Sequence, residues 1–356
     1  MEFSAISANE LFETAAGYLM LEGLESAPRG LKIKELLNTT LILQRPGNNI
    51  VHNKFRKISR KYLVAELLWY LSTDLSDRFI GKYAPFWKKL ADCPDMDGML
   101  NSNYGFYFFA PMDDVINLSE QTKINLILRN QNKYHYKDIQ AMASKYDIDT
   151  VLKMCGSSKL IYALNPTANY LQSQFDYVLN KLTEDPDSRQ AVVNINNVLH
   201  KSYETKDFPC TTAMQFFIRD GKLYMTVTMR STDIVLGYCN DVYQFTQFQR
   251  ILLDALNRRG NEYTLGTFTL FTGSLHVYER HFEMLSNVIR NKEHHDHNKA
   301  MIQSVNDIID KYDTQDVLRF ARNLVGFGED IIKANKICNE IYVNGDFENI
   351  LSGGIN

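Results

Sequence analysis

Cysteine is scarce in this chain, and no two cysteines lie close together. Cys93, Cys155, Cys210, Cys239 and Cys338 are odd in number and form no CxxC pair. That excludes a disulfide scaffold and points to a reducing compartment. A strong charge of either sign is also missing: 39 Lys and Arg against 42 Asp and Glu leave a net charge of −3. The whole surface is therefore no nucleic-acid-binding polycation, and an anionic substrate must be met by a few local arginines. No apolar run reaches the roughly 18 residues that a membrane span needs. The opening MEFSAISANELFETAAGYL carries early acidic residues and no basic stretch, so it does not read as a signal peptide. There is no GxGxxG or Walker A pattern, which removes dinucleotide and P-loop readings. Internal repeats and low-complexity segments are absent too. The expectation is a soluble cytoplasmic protein, placed in a host's cytoplasm if a phage encodes it.

What is present suffices for a sizeable core: 356 residues, 45% of them hydrophobic and 12% aromatic. The spacing predicts an amphipathic helix over 4–24, a turn at Pro28-Arg29-Gly30 and a strand over 37–44. A buried-looking helix over 59–71 holds Glu66 among apolar residues, an unusual place for a carboxylate without a partner or a task. Helical spacing returns over 115–133 and 171–182, and Asp185-Pro-Asp-Ser reads as a turn. Strand character begins near Gln190, over 191–195, 213–219 and 223–229, with Asp220-Gly221 as a hairpin signal. A long apolar helix follows over 242–256, then strands over 267–271 and 275–278, then a charged helical tail from about Glu283. Helices first and strands later, without strict alternation, predict an α+β fold.

The informative block runs from Asp207 to His281. Cys210 follows Pro209 just before a predicted strand. Arg230, Ser231 and Asp233 close the next strand, where an arginine beside a hydroxyl suits a phosphate. A nearby arginine also favours a thiolate at Cys210. Two other features are discounted. His294-His295-Asp296-His297 lacks a distant ligand set and reads as a solvated loop, so no metal is expected. The basic, tyrosine-containing region 123–137 reads as a solvated surface, which leaves nucleic acid an unlikely partner.

Six motifs, in order and over about residues 25–285, resemble the thymidylate synthase superfamily. They are Glu66-Leu-Leu-Trp-Tyr, Asn103-Tyr-Gly, Asp185-Pro-Asp-Ser-Arg, Phe208-Pro-Cys-Thr-Thr-Ala-Met-Gln, Arg230-Ser-Thr-Asp-Ile-Val-Leu-Gly and His276-Val-Tyr-Glu-Arg-His. The resemblance implies a large twisted mixed β-sheet flanked by helices, with a catalytic domain at 1–285 and a helical C-terminal extension at 286–356 packed on it. It implies 5,10-methylenetetrahydrofolate as co-substrate, a pyrimidine nucleoside monophosphate as substrate, and a homodimer with shared active sites. Cys210 would add to ring carbon 6, making carbon 5 nucleophilic. Arg230, Ser231 and Arg29 would bind the 5′-phosphate, and Arg189 the phosphate of the neighbouring subunit. His276 and Tyr278 would contact the sugar. Glu66 would order water and relay protons, with Tyr104 assisting at carbon 5. Gln215 would support the site, and Trp87, Asp233, Leu236 and Gly237 would line the folate seat.

Departures from the synthase pattern sharpen the reading. Where synthases carry a uracil-reading asparagine, four residues after Gly237, this chain has Asp241. A carboxylate accepts from the cytosine amine, and a proton shared with the ring nitrogen completes the match. Asn240, one residue earlier, is the other candidate reader. The second tryptophan of the synthase Trp-x-x-Trp pair is Leu90, and the C-terminus lacks the short apolar tail that closes over folate. Both changes admit water, as a hydroxymethylase requires. Leu100-Asn-Ser-Asn-Tyr-Gly, Met229-Arg-Ser-Thr-Asp, Asn240-Asp241 and Gly273-Ser-Leu-His-Val-Tyr-Glu-Arg-His-Phe look like motifs of the phage deoxycytidylate hydroxymethylases within the superfamily. Gln190 stands where many members have a second arginine, and Thr211 replaces the histidine that follows the synthase nucleophile. The expected activity is 5-hydroxymethylation of dCMP. The alternatives are CMP or dUMP hydroxymethylation, thymidylate synthesis, or a non-catalytic nucleotide- or RNA-binding member.

Overall fold

The computed structural model describes residues 1–92, 98–112, 172–196, 198–201, 204–291 and 302–326, with scattered positions between 138 and 154. The predicted helix over 115–133, the histidine run at 294–297 and the basic region 123–137 lie outside the described residues.

A mixed, eight-stranded sheet organises the fold. Its strands are β1 (Glu2–Ala5), β2 (Leu24–Ser26), β3 (Ile33–Leu43), β4 (Val192–Asn194), β5 (Thr211–Arg219), β6 (Lys222–Met229), β7 (Thr232–Asp233) and β8 (Thr264–Tyr278). The order is β1-β3-β8-β6-β5-β4, with β2 added on β3 and β7 on β8. β1 runs parallel to β3 and β6 parallel to β8, while β3–β8, β5–β6 and β4–β5 are antiparallel. Asp220 and Gly221 turn β5 into β6 with φ of 49° and 68°, the left-handed pair that a tight hairpin needs.

Pairing register puts alternate residues on opposite faces. One row, Leu41–Leu270–Val227–Met214–Val193, crosses five strands and is fully buried. The long helix α7 (Tyr238–Arg258) packs on this side. The opposite row, Ile42–Thr269–Thr226–Gln215, is only half-buried.

The other helices are α1 (Ala8–Glu22), α2 (Arg60–Ser72), α3 (Ile80–Tyr83), α4 (Phe86–Leu90), α5 (Tyr104–Phe109), α6 (Gln174–Glu184), α8 (Phe282–Arg290), α9 (Gln303–Lys311) and α10 (Thr314–Gly326). Ser59 caps α2 by accepting from Tyr62 N at 3.2 Å. Ten consecutive residues from Leu63 to Ser72 are buried, because α5, α7 and α10 all pack against α2. A helix apolar all round is the sequence consequence of being covered on every side. Gly105 permits one of these contacts: a Cβ there would lie 2.0 Å from Tyr70 O.

Two expectations need correction. The predicted helix over 4–24 begins late: residues 2–5 form β1 against Thr40–Leu43, and the helix starts at Ala8 with Ser7 as its cap. Backbone pairing with a neighbouring strand overrode local periodicity there. The two strands predicted over 267–271 and 275–278 are one continuous β8.

Candidate active site

The ends of β5, β6 and β8 and the start of α7 gather most of the predicted residues. Cys210 precedes β5, and its carbonyl accepts from Arg230 N at 2.8 Å, which ties it to the end of β6. A bulge between Thr211 and Ala213 breaks the β5–β6 register beside the thiol. A second irregularity faces it in β3, where Asn38 at φ 52° interrupts the pairing between Leu37↔Ser274 and Thr39↔Thr272. Bulges re-aim side chains and open a sheet end. Gly273 of β8 belongs to this corner: a Cβ there would meet Arg230 O at 2.8 Å.

Arg230 is held by its own neighbours. Its Nε donates to Pro209 O at 3.2 Å, one terminal nitrogen to Phe208 O at 2.9 Å and the other to Ser231 Oγ at 3.1 Å. Ser231 Oγ is also 4.0 Å from Cys210 Sγ. Arginine, serine and thiol thus share one corner, with the guanidinium exposed. Arg230 favours a thiolate at Cys210, as its place in the sequence predicts, but other contributions outweigh it. Burial pushes the Cys210 thiol up, and the carboxylates of Asp241 and Asp207 add to that. The Arg230 charge and the Ser231 hydrogen bond act the other way without offsetting it. The Cys210 thiol is thereby held toward its neutral form.

Glu66 is buried, as its position in α2 suggested. Tyr62 OH donates to its Oε1 at 2.7 Å and Gln244 Nε2 to its Oε2 at 3.0 Å. Burial outweighs both hydrogen bonds and moves the carboxyl up to about 7, the range useful to an acid–base group at neutral pH. Tyr104, also buried, stacks on Phe245 at 5.6 Å and lies within electrostatic reach of Cys210 and Asp241.

Asp241 stands in the first turn of α7, its N–H bonded to Gly237 O at 2.9 Å. Burial holds its carboxyl well above the usual carboxylate range, and the Glu66 and Asp233 charges push the same way. Gly237 fits closely beneath it: a Cβ there would lie 3.2 Å from Asp241 Oδ2 and 3.0 Å from Asp233 O. The neighbouring Asn240 instead donates to Leu236 O at 2.9 Å, back along its own helix.

β7 sets Asp233 beside His276 in the sheet. Asp233 Oδ1 accepts from Val235 N and Leu236 N at 2.7 and 2.9 Å, while Oδ2 is buried and has no partner. A buried acceptor without a donor suits a ligand carrying N–H groups, which a pterin does. Leu236 is 43% exposed beside it, and Trp87 is half-buried on α4. Across the loop, Arg56 Nε donates to Val235 O at 2.9 Å. It belongs to a cavity of about 650 Å³ walled by residues 50–54 and 56–61, including Lys54, Lys57 and Lys61.

His276 and Tyr278 meet edge to face at 5.5 Å on β8. Arg29 sits in the Pro28–Gly30 turn with φ 55°, exposed. Arg189 is exposed after the Asp185–Ser188 turn, and its carbonyl accepts from Gln215 Nε2 at 2.9 Å. Gln215 therefore anchors the Arg189 segment at the half-buried sheet face.

Sequence reasoning missed four residues. Tyr62 lies one helical turn before Glu66, and Gln244 three residues after Asp241, so both were findable from helical spacing. Asp207 and Ser102, joined across 105 positions, offered no local signal. Among the described residues, no cluster of three or more potential metal ligands exists. No described helix is long and apolar enough to cross a membrane.

Comparison with known proteins agrees with this geometry. A family model described as thymidylate synthase matches residues 47–320. The chain belongs to the thymidylate synthase family. Enzymes of this family are one-carbon transferases that bind a pyrimidine nucleotide and use methylenetetrahydrofolate as co-substrate. The deoxycytidylate 5-hydroxymethyltransferase of Enterobacteria phage T4 is 25% identical over 277 residues, 75% of this chain and 84% of that protein. The deoxyuridylate hydroxymethyltransferase of Bacillus phage SP01 is 26% identical over 278 residues, 78% of this chain and 58% of that protein. In structure, the thermostable thymidylate synthase A of Bacillus subtilis matches with a TM-score of 0.54 at 17% identity, covering 81% of this chain and 86% of that one. That likeness establishes the thymidylate synthase fold for this family member.

Proposed function

We propose that this family member is a deoxycytidylate 5-hydroxymethylase. The observation that carries the reading is Asp241: an aspartate at the base-reading position, with its carboxyl held toward the protonated form. A protonated carboxyl donates to the cytosine ring nitrogen and accepts from the exocyclic amine, which is the pair of contacts cytosine offers. Asn240 is occupied with Leu236 O, which favours Asp241 over it as the reader.

The remaining roles follow from placement. Cys210 loses its proton as it adds to carbon 6, and the new S–C bond makes carbon 5 nucleophilic. Arg230 and Ser231, one atom shell from the thiol, hold the 5′-phosphate and so fix the ring over Sγ. Methylenetetrahydrofolate supplies the one-carbon unit when bound. Asp233 receives the pterin N–H groups, and Trp87 and Leu236 wall the seat. Glu66, poised near neutrality, orders the water that completes the hydroxymethyl group, and Tyr104 assists proton removal at carbon 5. His276 and Tyr278 read the sugar. Ser231 keeps the phosphate-binding hydroxyl and favours a deoxynucleotide.

A homodimer is part of the reading. Its support is the half-buried sheet face and the Gln215–Arg189 contact at that face, which would present Arg189 to the partner's phosphate. A second reading, hydroxymethylation of dUMP, draws support from the similarity to the phage SP01 protein.

The test is mass spectrometry of products after incubation with methylenetetrahydrofolate and dCMP, CMP or dUMP in turn. Formation of 5-hydroxymethyl-dCMP with release of tetrahydrofolate is expected. A hydroxymethylated dUMP or CMP moves the assignment to that nucleotide. A methylated product makes the protein a synthase, and no product with any nucleotide overturns the enzyme reading.

A further inference from the structure

Tyr62 stands between two groups that the proposed reaction uses separately. Its hydroxyl accepts from Trp87 Nε1 at 2.9 Å and donates to Glu66 Oε1 at 2.7 Å. Trp87 walls the folate seat and Glu66 handles protons, so one phenol joins the two. An indole N–H is a donor only. Its presence on the phenol oxygen turns the phenol proton toward the carboxylate. Glu66 Oε2 is fixed from the other side by Gln244, whose Nε2 also donates to Leu63 O at 3.0 Å. Both carboxyl oxygens thus carry one fixed donor each.

Trp87 itself is well placed to sense a ligand. It belongs to α4, a five-residue helix, and is half-buried. It packs at 5.2 Å against Trp69 of α2, which is fully buried. A flat ligand ring against Trp87 would shift the indole, and the indole shift would change the hydrogen bond that Tyr62 receives.

We propose that Tyr62 is a positioning residue that couples occupancy of the folate seat to the protonation of Glu66. The inference rests on the roles given above to Trp87 and Glu66. The other titratable groups within reach of Glu66 are Tyr70 on its own helix and Asp241 on α7; Tyr104 of α5 lies next, against Tyr70. Tyr62 is the one among them that hydrogen-bonds to Glu66. Its bond favours the ionised carboxylate, opposing burial.

The experiment reads the free protein first. The chain has two tryptophans, and Trp87 is linked to Glu66 through Tyr62. Tryptophan emission of the wild type, titrated with acid and base, should show a transition near pH 7, where Glu66 ionises. Tyr62→Phe should abolish that transition, and so should Glu66→Gln. A transition that survives in Tyr62→Phe overturns the coupling. Turnover supplies the second reading. Tyr62→Phe should lower kcat by at least about tenfold, leave the nucleotide KM within about twofold, and move the pH limb of kcat upward, since a bond favouring the carboxylate is gone. Trp87→Phe, which leaves Tyr62 in place, should move the same limb in the same direction by a smaller amount. Unmoved limbs in both variants overturn the proposal. Because the emission titration needs neither nucleotide nor folate, a normal titration with no turnover on any nucleotide would fault the functional reading and leave the Trp87–Tyr62–Glu66 link standing.

Discussion

Asp207 grips Ser102 with both carboxylate oxygens: Oδ2 accepts from the Ser102 N–H at 2.7 Å and Oδ1 from its hydroxyl at 2.5 Å. The pair is buried and joins two segments that are far apart in the chain. One segment leads into α5 and Tyr104, the other into Cys210. Thr205 extends the junction, accepting from Asn101 Nδ2 at 2.9 Å and donating to Asp92.

Breaking this junction should loosen the nucleophile and Tyr104 together. In Asp207→Ala, Ser102 keeps two buried donors without an acceptor, at a cost of about 1–3 kcal/mol. Urea unfolding at neutral pH measures that loss. A midpoint equal to that of wild type would show that the pair contributes no net stability.

Cys210→Ala should end turnover while nucleotide binding survives, because the phosphate contacts proposed for Arg230 and Ser231 do not depend on sulfur. Removal of an obligate nucleophile costs several orders of magnitude in rate. Calorimetric titration with dCMP beside a turnover assay separates the two effects. Residual turnover in the alanine variant would place the nucleophile elsewhere.

Asp241→Asn should move preference from dCMP toward dUMP by at least about tenfold in kcat/KM. An amide offers a fixed donor and acceptor that match the uracil carbonyl and N–H, and a buried mismatch with cytosine costs about 1–3 kcal/mol. A competition assay with both nucleotides decides it. Unchanged preference in the variant would transfer base reading to another residue, Asn240 first.

Glu66→Gln should make the protein more stable at pH 8 and no different at pH 4. The Glu66 carboxyl rises from an ordinary 4.5 to about 7 in the folded state. The folded state therefore binds the extra proton, and this contribution is fully present below pH 4.5 and lost as pH rises to about 7. Each unit is worth about 1.4 kcal/mol, so the loss is on the order of 3 kcal/mol. Glutamine mimics the neutral acid and avoids it. Denaturant midpoints of both proteins across pH 4 to 8 give the difference, and parallel curves would mean that Glu66 titrates as an ordinary carboxylate.

Much of this was legible in the amino-acid order because the relevant physics is local. Leu63 to Tyr70 announce a buried helix around Glu66, the alternation of 213–219 and 223–229 with Asp220-Gly221 announces a hairpin, and the short motifs around Cys210, Arg230 and His276 announce the family. Local order also explains the cap at Ser59 and the turn at Pro28-Arg29-Gly30. Tertiary structure alone decided the rest. Residues 2–5 became a strand because Thr40–Leu43 offered them backbone partners. Burial pushed the Cys210 thiol up despite the neighbouring arginine. Asn240 turned to Leu236, while burial pushed the Asp241 carboxyl up. Tyr62 met Trp87 and Asp207 met Ser102 across loops that no periodicity describes. Charge states and long-range hydrogen bonds depend on how much water is excluded and on which distant group arrives, and both are set only when the chain is folded.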